Sequence, residues 1–145
     1  MKRVARNTSI LKVSPAFKSS LEAVGNSQQF PPAHILFREG GRNAGVFLVR
    51  SGKVLMSVKS MPKLDRVFSA GSLLGLPSTF TGHCYSLTAV TIADAEAVHV
   101  TREQFLELMR QKPELCREAT EVLGPEVTFI QSALAERRRQ LAAVR

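Results

Sequence analysis

The chain has 145 residues, 44% of them hydrophobic and 22% charged, which is enough apolar material for one domain with one core. No apolar run approaches the roughly 18 to 20 residues of a membrane span, and Met1-Lys2-Arg3-Val4-Ala5-Arg6-Asn7 lacks the long apolar stretch of a secretory signal, so a soluble, cytoplasmic protein is expected. The formal charge of +8 is concentrated at the ends: residues 1–29 hold five basic residues against one acidic, residues 126–145 hold four against two, and the middle is close to balanced.

Up to Pro15 the chain is polar and basic. Phe17, Leu21 and Val24 then recur at helical spacing until Gly25 and Asn26 stop the pattern, so one short helix is predicted. From Phe30 the character changes. His34 to Phe37, Val46 to Val49, Lys53 to Lys59, Asp65 to Ser69, Cys84 to Val90 and Ala93 to Val100 are short runs rich in β-branched and apolar residues, punctuated by Pro31-Pro32, Gly40-Gly41, Ser51-Gly52, Gly71 and Gly82. Within the third run Val54, Met56 and Val58 alternate onto one face. Six short strands predict a sandwich or roll.

Helical signals return at Thr101-Arg102-Glu103-Gln104, which has the form of a capping box, followed by the docking stripe Phe105, Leu108 and Met109. Pro113 suits the first turn of a second helix carrying Leu115, Ala119 and Val122. Gly124-Pro125 is expected to interrupt, with Pro125 starting a third helix. There Val127, Ile130, Leu134, Leu141 and Val144 form a heptad seam broken by Arg137, the pattern of a short dimerisation helix.

No standard catalytic signature is present, neither a nucleophile elbow, a zinc-protease helix, a phosphate loop of the G-x-x-x-x-G-K type nor a dinucleotide fingerprint, and a non-enzymatic role is expected. Cys84 and Cys116 stand far apart in no C-x-x-C arrangement, so neither a disulfide framework nor a thiolate metal site is expected. His34, His83 and His99 are scattered. His99 alternates with apolar neighbours and reads as structural, and the adjacent pair His83-Cys84 would point to opposite faces of a strand. No cofactor and no metal are expected. The stretch from Val67 to Val90 reads as strand, glycine turn, very short helix, loop and strand. Such a turn either aims free amides at an anion or is a corner built of small residues.

Three segments, Pro32-Ala33-His34-Ile35-Leu36-Phe37-Arg38-Glu39-Gly40, Gly45-Val46-Phe47-Leu48-Val49-Arg50-Ser51-Gly52-Lys53-Val54 and Ala70-Gly71-Ser72-Leu73-Leu74-Gly75, resemble the cyclic-nucleotide-binding domain, and more narrowly the sensor half of the Crp/Fnr family of bacterial transcription regulators. The resemblance covers about residues 15–145. It implies a mainly β fold with flanking helices, a double-stranded β-helix or jelly roll, ending in a C-terminal dimerisation helix. The implied division is a basic arm and short helix over 1–29, the β-roll sensor with its following helix over 30–112, and C-terminal helices over 113–145.

The resemblance also places a ligand pocket at Gly71, Leu74, Gly75, Leu76, Tyr85, Ser86 and Thr88, and here the chain departs from the family. Leu76 follows Gly75 where nucleotide-binding members carry a glutamate for the ribose hydroxyl, and Tyr85 stands where they carry the arginine that pairs with the cyclic phosphate. Hydrogen bonds to charged groups contribute roughly 1.5 to 3 kcal/mol each, so losing both weakens binding by about two to four decades. The expected function is an effector-sensing or regulatory domain with a degenerate phosphate cassette that does not bind cAMP or cGMP tightly. The alternatives are a working receptor with a substitute anchor such as Arg66, and a structural, partner-binding dimer whose roll is filled. Expected partners are a small-molecule effector and a second copy of the chain. DNA is expected only through a helix-turn-helix domain that residues 1–145 do not contain, the chain being either a fragment or, as Met1 favours, a stand-alone sensor. Arg137-Arg138-Arg139 reads as a solvated face.

Overall fold

A computed structural model describes residues 6–7, 12–59 and 61–144. In chain order the elements are β1 (Arg6–Asn7), α1 (Pro15–Val24), β2 (Asn26–Phe30), β3 (Ile35–Phe37), β4 (Val46–Ser51), β5 (Val54–Val58), β6 (Met61–Phe68), β7 (Leu73–Leu74), α2 (Leu76–Thr81), β8 (Thr88–Thr91), β9 (Ala95–Val100), α3 (Arg102–Gln111) and α4 (Pro113–Val144). The strands form two sheets, ordered β1-β6-β5-β8-β3 and β2-β9-β4-β7. All pairings between strands are antiparallel except that β1 runs parallel to β6. The architecture is the mainly β roll with flanking helices that the strand pattern and the resemblance predict.

Strand β4 explains how the layers are held. Val46, Phe47, Leu48 and Val49 are all buried, and a strand covered on both faces reads as a continuous apolar run rather than an alternating one. Phe47 and Val49 point into the roll, where they meet Phe37, Val54, Met56, Phe68, Leu74, Ala89 and Ala97 from both sheets and Tyr85 and Leu87 from the loop before β8. Val46 and Leu48 point outward and join Phe17, Leu21, Leu73, Leu76, Val98, Val100, Phe105, Leu108, Met109, Leu115 and Ala119 in a second core between the four-stranded sheet and the helices. Opposite residues share a face, so the register Val46↔Val100 and Leu48↔Val98 makes this outer surface continuous.

The helices begin where the local chemistry allows. Ser14 caps α1, its Oγ accepting from the Phe17 amide at 3.2 Å, and Pro15 occupies the first turn. The capping box at Thr101 is complete, with Gln104 N donating to Thr101 Oγ1 at 3.1 Å and Thr101 N donating to Gln104 Oε1 at 2.9 Å. Phe105, Leu108 and Met109 are the buried face of α3, as their spacing predicts. Among the described residues no helix is long and apolar enough to cross a membrane.

Three local readings are corrected. The interruption expected at Gly124-Pro125 does not occur, and one helix runs from Pro113 to Val144. A proline inside a helix removes one amide donor and costs about 3 kcal/mol, while glutamate, leucine, alanine, arginine and glutamine around Pro125 favour helix. The strand expected from Cys84 begins only at Thr88. Asn26 to Gln29, expected to precede the roll, form with Phe30 an edge strand paired with β9. For Val127, Ile130, Leu134 and Leu141 the backbone alone is described, so their expected seam lies outside the described side chains.

Candidate functional site

Between β7 and β8 the chain makes the turn, short helix and loop expected of a ligand-binding corner. Gly75 precedes α2 with φ of +87°, and a Cβ built there would stand 3.1 Å from the Gly45 carbonyl and 3.2 Å from a Tyr85 ring carbon. Gly45 itself has φ of +107°, and its Cβ would meet the Val100 carbonyl at 2.0 Å. Only glycine permits both the dihedral and the approach. The loop before β4 is thereby pressed onto the corner.

Tyr85 fills the space between them. It is 3% exposed, and its ring stacks on Phe37 with centroids 4.0 Å apart and planes 13° apart. Its hydroxyl donates to the Gly45 carbonyl at 2.7 Å and accepts from the Ala44 amide at 2.9 Å. Its backbone binds the same loop, Tyr85 N donating to Gly41 O and Gly40 N donating to Tyr85 O. Burial pushes the phenol above its ordinary value near 10, with the Ala44 amide pulling the other way. From its sequence position Tyr85 could still offer one hydrogen bond to an anion, but that proton is engaged by Gly45.

Among the described residues, the cavity at this corner measures about 10 Å³ and is lined by Phe37, Met56, Gly75, Pro77, Ser78, Tyr85, Ser86 and Leu87. That is at the threshold for a single water, whereas small-molecule pockets run to about 300 Å³ and more. Of the pocket residues expected from the sequence, Gly75, Tyr85 and Ser86 line this cavity. Leu74 belongs to the core of the roll, and Leu76 is fully buried on the opposite side, in the core under the helices. Thr88 Oγ1 accepts from the Glu39 amide at 2.8 Å. Gly71 lies at a different corner, where its amide donates to Val49 O and its carbonyl accepts from Val13 N. Phe37, Met56, Pro77, Ser78 and Leu87 complete the lining. In the sequence they carry only the apolar or small character of core and turn residues.

Arg66, the candidate substitute anchor, is 3% exposed on β6. It lies opposite Met56 in the register, with its guanidinium 5.2 Å from the Phe68 ring centroid. His99 stacks on Phe47 at 4.7 Å, and its Nε2 is hydrogen-bonded to the Ala44 carbonyl at 2.6 Å. It braces the same loop as Tyr85. His83 and Cys84 are exposed in the loop after α2, and among the described residues no group of three or more His, Cys, Asp or Glu is arranged to hold a metal ion.

A family model for the cyclic nucleotide-binding domain matches residues 27–112. Among curated proteins no sequence matches. Among solved structures, the catabolite activator protein of Thermus thermophilus is 21% identical with a TM-score of 0.62, over 91% of this chain and 60% of that one. The N-terminal domain of a transcriptional regulator from Streptomyces coelicolor A3(2) is 19% identical with a TM-score of 0.58, over 92% and 87%. A structure from a cyclic-GMP-dependent signalling pathway that regulates bacterial phytopathogenesis is 15% identical with a TM-score of 0.70, over 83% and 96%. The chain thus spans about three fifths of the Thermus regulator's length, and at these identities the likeness is one of fold.

Proposed function

The chain belongs to the cyclic nucleotide-binding domain family, and from that membership we propose that it is a non-enzymatic regulatory module of the Crp/Fnr-like sensor type whose cassette no longer holds a cyclic nucleotide. The observation that carries this reading is the placement of Tyr85. Where the resemblance calls for an arginine facing a phosphate, the chain has a neutral ring stacked on Phe37, with its hydroxyl bonded to Gly45 and Ala44. Leu76, in the glutamate's place, is buried beneath the helices. Neither supplies charge to a ligand, and a cavity of about 10 Å³ leaves no room for one. Pro77 subtracts a further amide from the first turn of α2.

The small volume of the cavity at this corner also favours the reading in which the roll is scaffold and signalling passes through the helices. The continuous α4 gives the seam of Val127, Ile130, Leu134 and Leu141 one uninterrupted helix, and a homodimer through that helix is part of the proposal. Sedimentation equilibrium of the wild type beside Ile130→Glu tests it: a dimer that the substitution dissociates is expected, and a monomeric wild type contradicts it.

Nucleotide binding is tested by thermal unfolding with millimolar cAMP or cGMP. A micromolar receptor would gain about 4 kcal/mol at a thousandfold excess over its dissociation constant, a large rise in Tm. No rise is expected. A concentration-dependent rise of several degrees would overturn the reading and return Arg66 or another cation to the role of anchor.

A further inference from the structure

Helix α1 buries Phe17, Ser20 and Leu21 and turns Lys18, Ser19 and Glu22 toward a groove of about 310 Å³. This is far roomier than the cassette cavity and lies at the lower end of the range for small-molecule sites. Its floor is β4 with Gly71, and Arg50 closes the far side. Gly71 has φ of +93°, and a side chain there would enter the groove beneath the Lys18 ammonium, which lies 4.0 Å from the position of the absent Cβ. Glycine keeps this space open.

The charged groups here are poorly matched to one another. Among the described residues the Lys18 side chain forms no ion pair or hydrogen bond. Arg50 stands 3.6 Å from Glu22 and 3.6 Å from Glu96, at the long end of ion-pair distances and with all three side chains substantially exposed. Such contacts hold weakly and yield to a competing anion. At the rim Lys12 donates to Ser69 Oγ at 3.2 Å and to Ala70 O at 2.9 Å, adding positive charge beside Gly71. A guanidinium offers a planar fork and an ammonium a point charge, a combination suited to a phosphate or a carboxylate.

We infer that this groove is a second binding site, taking a small molecule that carries a phosphate or carboxylate group on Lys18 and Arg50. The wall that would meet the ligand is tied to α4. At the head of α1 the amide and hydroxyl of Ser14 both donate to the Glu118 carboxylate of α4 at 2.7 Å, and Lys112, at the junction of α3 and α4, donates from Nζ to Ser20 Oγ at 3.2 Å. A ligand that draws Lys18 toward Arg50 pulls on a helix whose head is fastened to α4 through Ser14 and whose Ser20 is bonded at the α3–α4 junction. This route avoids the cassette, and the site stands whether or not the cassette takes a nucleotide.

The test is an amide chemical-shift titration of the full chain with inorganic phosphate and, separately, succinate, at constant ionic strength set with chloride. With at least one probe the amides of Lys18, Ser19, Arg50 and Gly71 are expected to move along a saturating curve and those of Ser14 and Glu118 to follow, while Ser86 and Leu87 stay still. Lys18→Gln, at a half-buried position whose side chain lines the groove without an ion pair, should keep the wild-type melting temperature and weaken binding by about tenfold or more. Saturation by phosphate alone or succinate alone supports the site and identifies the headgroup. Shifts that rise linearly, that chloride reproduces or that Lys18→Gln leaves unchanged mean an adventitious ion only and overturn the proposal.

Discussion

Tyr85→Phe removes one oxygen and leaves the ring able to stack on Phe37. The lost hydroxyl had donated to the Gly45 carbonyl and accepted from the Ala44 amide. Ala44 is exposed, so its amide turns to water, but Gly45 is buried and its carbonyl loses this partner. A buried group stripped of its partner costs about 1 to 3 kcal/mol, and at this chain length each kcal/mol moves the melting temperature by about 2 to 4 °C. The substitution should therefore cost about 2 kcal/mol and lower Tm by about 4 to 8 °C. Far-ultraviolet circular dichroism during heating measures the second quantity. A urea titration measures the first, with an unchanged m value showing that the two folded states are equally compact. If the hydroxyl instead faced an open pocket, the change would stay within about 0.5 kcal/mol. A Tm equal to or above that of the wild type would refute the tether.

Tyr85 is the sole tyrosine and tryptophan is absent, so tyrosinate absorbance reports this one group. Its folded pKa lies above the ordinary value. The stability it contributes is therefore fully present below about pH 10 and lost as pH rises through the folded pKa. The folded protein should titrate at a higher midpoint than the protein in urea, and coincident midpoints would contradict the burial. Thr101→Ala removes the half of the capping box in which Oγ1 accepts from the Gln104 amide and keeps the half in which the residue 101 amide donates to Gln104 Oε1; it should cost about 1 kcal/mol in urea unfolding, with Thr101→Ser close to neutral. Pro125→Ala should raise stability by up to about 3 kcal/mol and deepen the helical circular dichroism signal. No gain would place Pro125 in the first turn of a separate helix.

The pattern of apolar residues carried the roll. It made legible the doubly buried β4, the alternation of β5, the capping box of α3 and the stripes of the docking helices, because burial on a face leaves a period in the chain. Asn26 to Phe30 left no such trace. This edge strand exposes nearly all of its length, and its pairing with β9 is made by backbone groups that side-chain pattern does not reveal. Tyr85 and Leu87 misled in the opposite sense. Their apolar character serves the core of the roll rather than a pleated strand, so the run from Cys84 looked more regular than it is. Gly124-Pro125 carries a strong stop signal that the surrounding helix formers override. At the candidate site the replaced anchors Leu76 and Tyr85 were visible from the resemblance. Their new partners were not: that Leu76 turns toward the helices and that Tyr85 is bound to Gly45, forty residues away in sequence, follow from tertiary packing alone.

The most direct test of the closed cassette is calorimetric titration of cAMP and cGMP into protein that has been unfolded, stripped of any carried-over ligand and refolded. The expected result is no saturable heat for either nucleotide up to millimolar concentration. Saturable binding at micromolar concentration would contradict the account, since it would require the roll to open, Tyr85 to leave Gly45, and a cation other than the missing arginine to meet the phosphate.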